Sequence, residues 1–385
     1  MSNTNIAEPL SKAQKGKPKE LPLLIISVDP GASSIKIVGS VAGDDKCCPL
    51  IIEPYCVEID NPTPDIDFDE NSVWVTIGGI SYALGNLAIA KYDCPLEIKP
   101  LKIKSIVPKI CAAIAVLHRK FNLPPKFELA ISSVLPPGEY AYSDEMRLML
   151  VTTLRKIGTP AGIIKPVVRS IDIHSEGFGV MDWHRTIGLG KTRDVGVIML
   201  GFRNASVLFS RKGQLTKPKS SKYGFHAVLE KISVMSGGNY PEAELIVPVW
   251  RYLIDGDESG FKRVATSDFD LEMTKIRPAI EVAMLEYRRS LETWLKSAMQ
   301  QTDVIVLCGG NADYIGKSLN PFLEQYIAEL PSGYPIFRHI GTNSIPEEIN
   351  ATGIANRFLD IYCIWHKLNS SYSDLETEKD LVTTE

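Results

Sequence analysis

No CxxC pair occurs among the seven cysteines of this 385-residue sequence. The odd set Cys47, Cys48, Cys56, Cys94, Cys111, Cys308 and Cys363 argues against a zinc site or a disulfide framework, and fits thiols kept reduced. Long apolar runs are missing as well. The longest, such as Ile110 to Leu117, fall far short of the roughly 20 residues that cross a bilayer. Neither charge dominates: 42 basic against 46 acidic residues leave a net −4, so direct wrapping of nucleic acid is not expected. There is no GxxxxGK[ST] and no GxGxxG set between a strand and a helix, which counts against P-loop and dinucleotide sites. The first twenty residues carry Lys12, Lys15, Lys17 and Lys19 but no apolar stretch, so they do not read as a secretory leader. What remains, at 44% hydrophobic and 23% charged, is a soluble globular chain of about two domains, with the cytoplasm as its expected place.

Residues 1–20 read as a flexible basic arm, and residues 369–385, rich in Ser, Thr and acids, as an acidic flexible tail. Between them the pattern is α/β. Leu23 to Val28 predicts a buried strand that stops at Asp29-Pro30-Gly31, and Ile35 to Ser40 resumes it as a hairpin. Residues 61–70, with two prolines and four acids, predict a loop. Further strands are expected at Ser72 to Ile77, Phe127 to Val134 and Val167 to Ile173, and helices at Leu101 to Phe121 and Ser143 to Arg155. A second strand–turn–strand unit follows at Asp194 to Leu200 and Ala205 to Ser210, with Gly201 to Asn204 as its turn. Helical patterns cover Pro241 to Ile254 and Leu271 to Met299. Val304 to Leu307 is a strand ending at Gly309-Gly310-Asn311.

Glycine after a buried strand lets backbone N–H groups approach phosphate oxygens, and a helix start adds a favourable dipole. One such turn also serves as an ordinary hairpin; here there are several. The stretch Val28-Asp29-Pro30-Gly31-Ala32-Ser33-Ser34-Ile35-Lys36 resembles the first phosphate motif of the actin-like ATPases. Val197 to Leu208 (VIMLGFRNASVL) sits where their second phosphate hairpin belongs, with Glu176 in the connecting segment before it. Leu307 to Asn311 (LCGGN) resembles the adenosine motif, and Asn350-Ala351-Thr352-Gly353 the second connecting helix. Trp74 to Ala88 (WVTIGGISYALGNLA) and Leu129 to Tyr140 (LAISSVLPPGEY) resemble the ParM/StbA-type plasmid-segregation branch.

That resemblance, over about residues 22–368, implies an actin-like (ribonuclease-H-like) two-domain fold with a central nucleotide cleft. Each domain would hold a five-stranded mixed sheet. Domain I would span 21–175, with 354–368 returning to it, and domain II 176–353. It implies ATP or GTP with Mg2+ as cofactors. Asp29 would hold the metal through water, and Gly31, Ala32, Ser33, Ser34 and Lys36 would meet the β- and γ-phosphates. Gly201, Arg203 and Asn204 would form the second phosphate loop, and Gly309, Gly310 and Asn311 would admit the adenosine. Glu176 would orient the attacking water. Alone, Asp29 is also a good turn former and Glu176 an ordinary acid before a helix. Asp172, His174, His184 and the five tryptophans read as packing, surface or interface residues, as do Tyr287, Arg288 and Arg289.

One position departs from the family. The second hairpin usually opens with an Asp in the metal's water shell, and here that position is Met199, whose thioether cannot serve. Three explanations stand: slow hydrolysis with binding kept, compensation by Arg203, or a register shifted by a few residues. The implied function is a head-to-tail homopolymer filament that segregates plasmid or other DNA through a DNA-binding adaptor, with slow ATP hydrolysis. A chromosomally encoded cell-shape cytoskeleton, a monomeric sugar-type kinase and a non-hydrolysing nucleotide-binding module are the alternatives.

Overall fold

The computed structural model describes residues 20–44, 46–62, 69–95, 101–186, 192–237, 240–265, 268–327, 346–352 and 354–382. The expected N-terminal arm, most of the 61–70 loop, and Gly353 lie outside the described residues. Strands β1 (Leu23–Pro30) and β2 (Ile35–Val41) form the first hairpin, followed by β3 (Cys48–Ile52), β4 (Cys56–Ile59), β5 (Ser72–Ile77) and β6 (Ile80–Gly85). Helices α1 (Asn86–Tyr92) and α2 (Ile106–Lys120) lead to β7 (Lys126–Leu135), α3 (Ser143–Thr153), β8 (Ile157–Thr159), β9 (Gly162–Ser175) and α4 (Phe178–Thr186). The second half opens with the hairpin β10 (Val195–Leu200) and β11 (Ala205–Arg211), then β12 (Gln214–Leu215) and β13 (Lys219–Ser220). Helices α5 (His226–Ser236), α6 (Glu242–Asp255) and α7 (Phe269–Ala298) precede β14 (Val304–Cys308) and α8 (Ala312–Leu323). The chain closes with α9 (Glu347–Asn350) and α10 (Leu359–Val382).

The first nine strands make one curled sheet in the order β3-β2-β1-β7-β9-β8-β5-β6-β4. The 14-residue β9 makes the curl, pairing with β8 through Gly162–Ile164 and with β7 from Lys165 onward. The second sheet runs β12-β11-β10-β14, with β13 also on β11. The expectation of two similar five-stranded sheets therefore holds only loosely. The first sheet carries four extra strands, and two members of the second have only two residues each.

The central strand β1 is buried at seven of its eight residues, as its near-continuous apolar run requires of a strand covered on both faces. Helix α2 packs on it from one side and α10 from the other. Each large aliphatic side chain so enclosed contributes about 1.5–3 kcal/mol. Helix α10 also packs along α4, and these two helices lie between the sheets. One buried cluster joins Ile25, Val38 and Ala130 of the first sheet to Val195, Val197 and Val306 of the second. It does so through Val180 and Met181 of α4 and Ile361, Ile364 and Trp365 of α10. The carboxylate of Asp360 fastens the pair, accepting from the backbone N–H of Gly177 at 2.7 Å, Gly179 at 2.8 Å and Val180 at 3.3 Å. Burial pushes that carboxyl up to about 6, against the pull of these donors.

Helix α10 does not stop where the flexible tail was expected. It continues to Val382, because no Gly or Pro interrupts the sequence after Leu359. Tyr372 Oη, inside the expected tail, donates to Ser170 Oγ of β9 at 3.1 Å. Among the described residues no helix is long and apolar enough to cross a membrane.

Candidate functional site

Two four-residue loops face one cleft: residues 31–34 between β1 and β2, and residues 201–204 between β10 and β11. Their strands share one register. Pro30 pairs with Ile35 and Asp29 with Lys36; Leu200 pairs with Ala205 and Met199 with Ser206. Met199 thus holds, in the second hairpin, the place that Asp29 holds in the first, and a shifted register no longer explains the missing carboxylate. Both loops need glycine at their first position. A Cβ on Gly31 would lie 2.8 Å from the Ser34 carbonyl oxygen, and one on Gly201 2.9 Å from that of Asn204.

The third wall comes from the end of β14. Gly309 has φ +91°, and a Cβ there would lie 2.4 Å from the Leu200 carbonyl oxygen, so the turn into α8 passes hard against β10. Asn311 Nδ2 donates to the Gly201 carbonyl at 2.8 Å, tying this turn to the second loop. The cleft encloses a cavity of about 220 Å³ that opens to solvent at its mouth. Asp29, Gly31, Ala32, Ser33, Lys36, Glu176, Gly201, Arg203, Asn204, Gly309, Gly310 and Asn311 all line it. Of the residues expected to meet nucleotide, metal or attacking water, Ser34 alone does not. It is buried behind the first loop, where its Oγ accepts from Arg357 Nη2 at 2.7 Å.

The floor of the cleft is a chain of ions. Lys36 donates to Asp29 Oδ2, and Lys102 Nζ lies 2.5 Å from Asp29 Oδ1 and 3.0 Å from Glu176 Oε1. Burial works against the Asp29 carboxylate, yet the charges of Lys102 and Lys36 outweigh it and hold the group well below the usual carboxylate range. Burial likewise opposes the Lys102 ammonium, but Asp29 and Glu176 hold it above the ordinary lysine value. For Lys36 burial wins and lowers it despite Asp29. Behind the first loop, Lys109 reaches the Gly31 carbonyl at 3.4 Å, and burial lowers its ammonium to about 8. Arg203 pairs with the buried Glu139 at 3.2 Å across the cleft wall.

Three features here were not singled out in the sequence. Lys102 lay inside a stretch read as helix, whereas it stands on a single 3-10 turn before α2 that aims it inward. Arg357 belongs to the turn before α10 and reaches Ser33 and Ser34 from the far end of the chain. Helix α6 gives an apolar wall of Ile246, Val247 and Trp250, although Trp250 was read only as a packing or interface residue. Conversely Tyr287, read as surface or interface, is buried among α5–α8 side chains. His174 stacks on Phe178 at 4.3 Å, a packing role.

A hydrated Mg2+ does not fit this donor set. Both Asp29 oxygens and one Glu176 oxygen are engaged by ammonium groups, and position 199 offers a thioether next to the Cys308 thiol, 3.4 Å away. Among the described residues no group of three or more His, Cys, Asp or Glu side chains is placed to hold a metal ion.

No protein-family model and no curated protein matches the sequence. Solved structures match the fold along nearly its whole length. The actin-like protein Alp7A superposes with a TM-score of 0.62 at 13% identity, covering 94% of this chain and 99% of its own. A 15-stranded ParM filament from Clostridium botulinum gives 0.60 at 12% identity, covering 91% and 99%. Bacillus thuringiensis ParM with ATP gives 0.55 at 14% identity, covering 93% and 99%. The two sheets, the helices between them and the cleft at their hairpins are thus the actin-like fold, in the form found in the ParM and Alp proteins.

Proposed function

We propose that this chain is an ATP-binding, filament-forming actin-like protein of the cytoplasm that segregates plasmid or other DNA through a DNA-binding adaptor. The observation that carries the reading is the pair of register-matched glycine loops facing one cationic cleft, with Gly309-Gly310-Asn311 as its third wall. In this reading Gly31 to Ser33 and Lys36 take the β- and γ-phosphates, and Gly201 to Asn204 close over them. The α6 wall takes the base, and Glu176 orients water. Residues 21–175 with 354–368 form one domain, 176–353 the other, and nucleotide sets the angle between them. A head-to-tail contact between identical subunits does not close on itself and so propagates as a filament. The near-neutral net charge favours an adaptor over direct contact with DNA.

Negative-stain electron microscopy with and without ATP tests the proposal. Filaments that form with nucleotide support it. Single particles at every concentration would shift the assignment to a monomeric kinase or an inert nucleotide-binding module. Met199 favours the module over the kinase, and phosphate release separates the two.

A further inference from the structure

We propose that the Lys102 ammonium stands in for the divalent cation of this cleft, so that the chain binds a nucleoside triphosphate without a divalent metal. The inference rests on the nucleotide reading above and deepens it. A divalent ion in such a cleft has two tasks: to bridge the carboxylates of the floor and to neutralise phosphate oxygens. Lys102 already does the first, bridging Asp29 at 2.5 Å and Glu176 at 3.0 Å. Its side chain is 5% exposed, so the bridge is built into the floor and not a surface pair. An ammonium has three N–H donors. Two face the carboxylates, leaving one for a phosphate oxygen.

The second task is met by charge already in the walls. Besides Lys102, the lining carries the cations Lys36, Arg203, Arg251 and Arg357. Against them stand two lining carboxylates, Asp29 and Glu176, and behind the wall Glu139 and Asp257, which pair with Arg203 and Arg251. The carboxylate that would anchor a metal from the opposite hairpin is replaced by Met199, in the register fixed by Met199–Ser206 pairing. Swapping that acid for a neutral side chain while placing a lysine between the other two removes the metal's ligands and supplies its charge in one arrangement. Arg357, which donates to Ser33 and Ser34, holds the first loop in place without help from an ion.

The test is ATP binding to the purified full-length chain, followed by calorimetry in excess EDTA and in excess Mg2+. The expected dissociation constants agree within about threefold, and Lys102→Met weakens binding in EDTA by about tenfold or more. The double variant Lys102→Met, Met199→Asp recovers affinity only when Mg2+ is present, which keeps the test informative if the single variant folds poorly. A wild-type affinity that drops about tenfold or more in EDTA overturns the inference and leaves the nucleotide reading intact. Lys102→Met binding as well as wild type in EDTA also overturns it. Absence of ATP binding under both conditions overturns the nucleotide reading, and this inference with it.

Discussion

Replacing Gly309 with alanine puts the contact between β14 and β10 to a direct test. At φ +91° an L side chain is strained by about 1–2 kcal/mol. The new Cβ would also meet Leu200 backbone, 2.4 Å from its oxygen, 2.9 Å from its carbonyl carbon and 3.0 Å from its nitrogen, and backbone within a sheet cannot step aside. Overpacking of that kind costs a further 1–3 kcal/mol or so, for a total of about 2–5 kcal/mol. Two neighbours calibrate the number. At Gly310 the added Cβ would lie 3.0 Å from Arg357 Cγ, a side chain able to shift, so stability falls by only about 1 kcal/mol. That shift moves the guanidinium holding Ser33 and Ser34, so Gly310→Ala weakens ligand binding more than it weakens the fold. At Gly138 nothing lies within 4 Å and φ is not positive, so alanine is neutral or stabilising by about 0.5 kcal/mol. Urea denaturation of the three variants, compared through midpoint and slope, reads the series. A Gly309→Ala protein within about 0.5 kcal/mol of wild type would falsify the close approach of this turn to β10.

Asp360 makes stability depend on pH. Its carboxyl lies near 6 when folded and near 3.8 when unfolded, so the folded chain holds the extra proton between those values. The group's contribution is fully present below about pH 4 and is lost as pH rises through about 6, by roughly 3 kcal/mol at most. Denaturation midpoints from pH 4.5 to 7 are expected to fall more steeply in wild type than in Asp360→Asn, and parallel curves would contradict this. The asparagine also loses one acceptor oxygen to the N–H groups of Gly177, Gly179 and Val180, a cost of about 1–3 kcal/mol. Arg357 holds Ser33 and Ser34 through a single nitrogen, Nη2, so Arg357→Ala is expected to release the first loop and weaken ATP binding by about tenfold in calorimetry. Trp250→Ala is expected to weaken ATP but not inorganic tripolyphosphate, which has no base to rest on α6; equal losses for both would place Trp250 elsewhere in the site. Glu176→Gln is expected to spare assembly and slow phosphate release, and unchanged release would remove Glu176 from a catalytic role.

The hairpins were legible because their signal is local. LLIISVDPGASSIKIVG writes an apolar run, a turn and a second run within one stretch of sequence, and VGVIMLGFRNASVLFS repeats it. The glycines at their turns could be placed on one cleft by order alone. Elements without such punctuation were missed. Helix α5 begins at His226 with no side-chain cap and so gives no start signal. Strands β3 and β4 are short, half-exposed and interrupted by Cys, Pro and Glu. The floor of the site was the least readable part. Lys102 lies 73 residues from Asp29, and Arg357 lies 323 from Ser34, so no spacing rule connects them. Their roles come from tertiary packing that drives long cationic side chains inward to meet buried partners.

Helix α10 has a consequence for how this molecule is made. The first sheet is complete in sequence once β9 has been synthesised, yet the face of Ile25, Val38 and Ala130 gains only Val180 and Met181 of α4 soon afterwards, and waits for the rest of its cover until Phe358 and α10. At ~5–20 residues per second, a ribosome leaves the α10 side of that apolar face uncovered for on the order of ten to forty seconds. In that interval it is bare to water, to chaperones and to the same face of neighbouring nascent chains. Loss of α10 would therefore harm the newborn chain before it harmed the finished one, showing first as poor soluble yield.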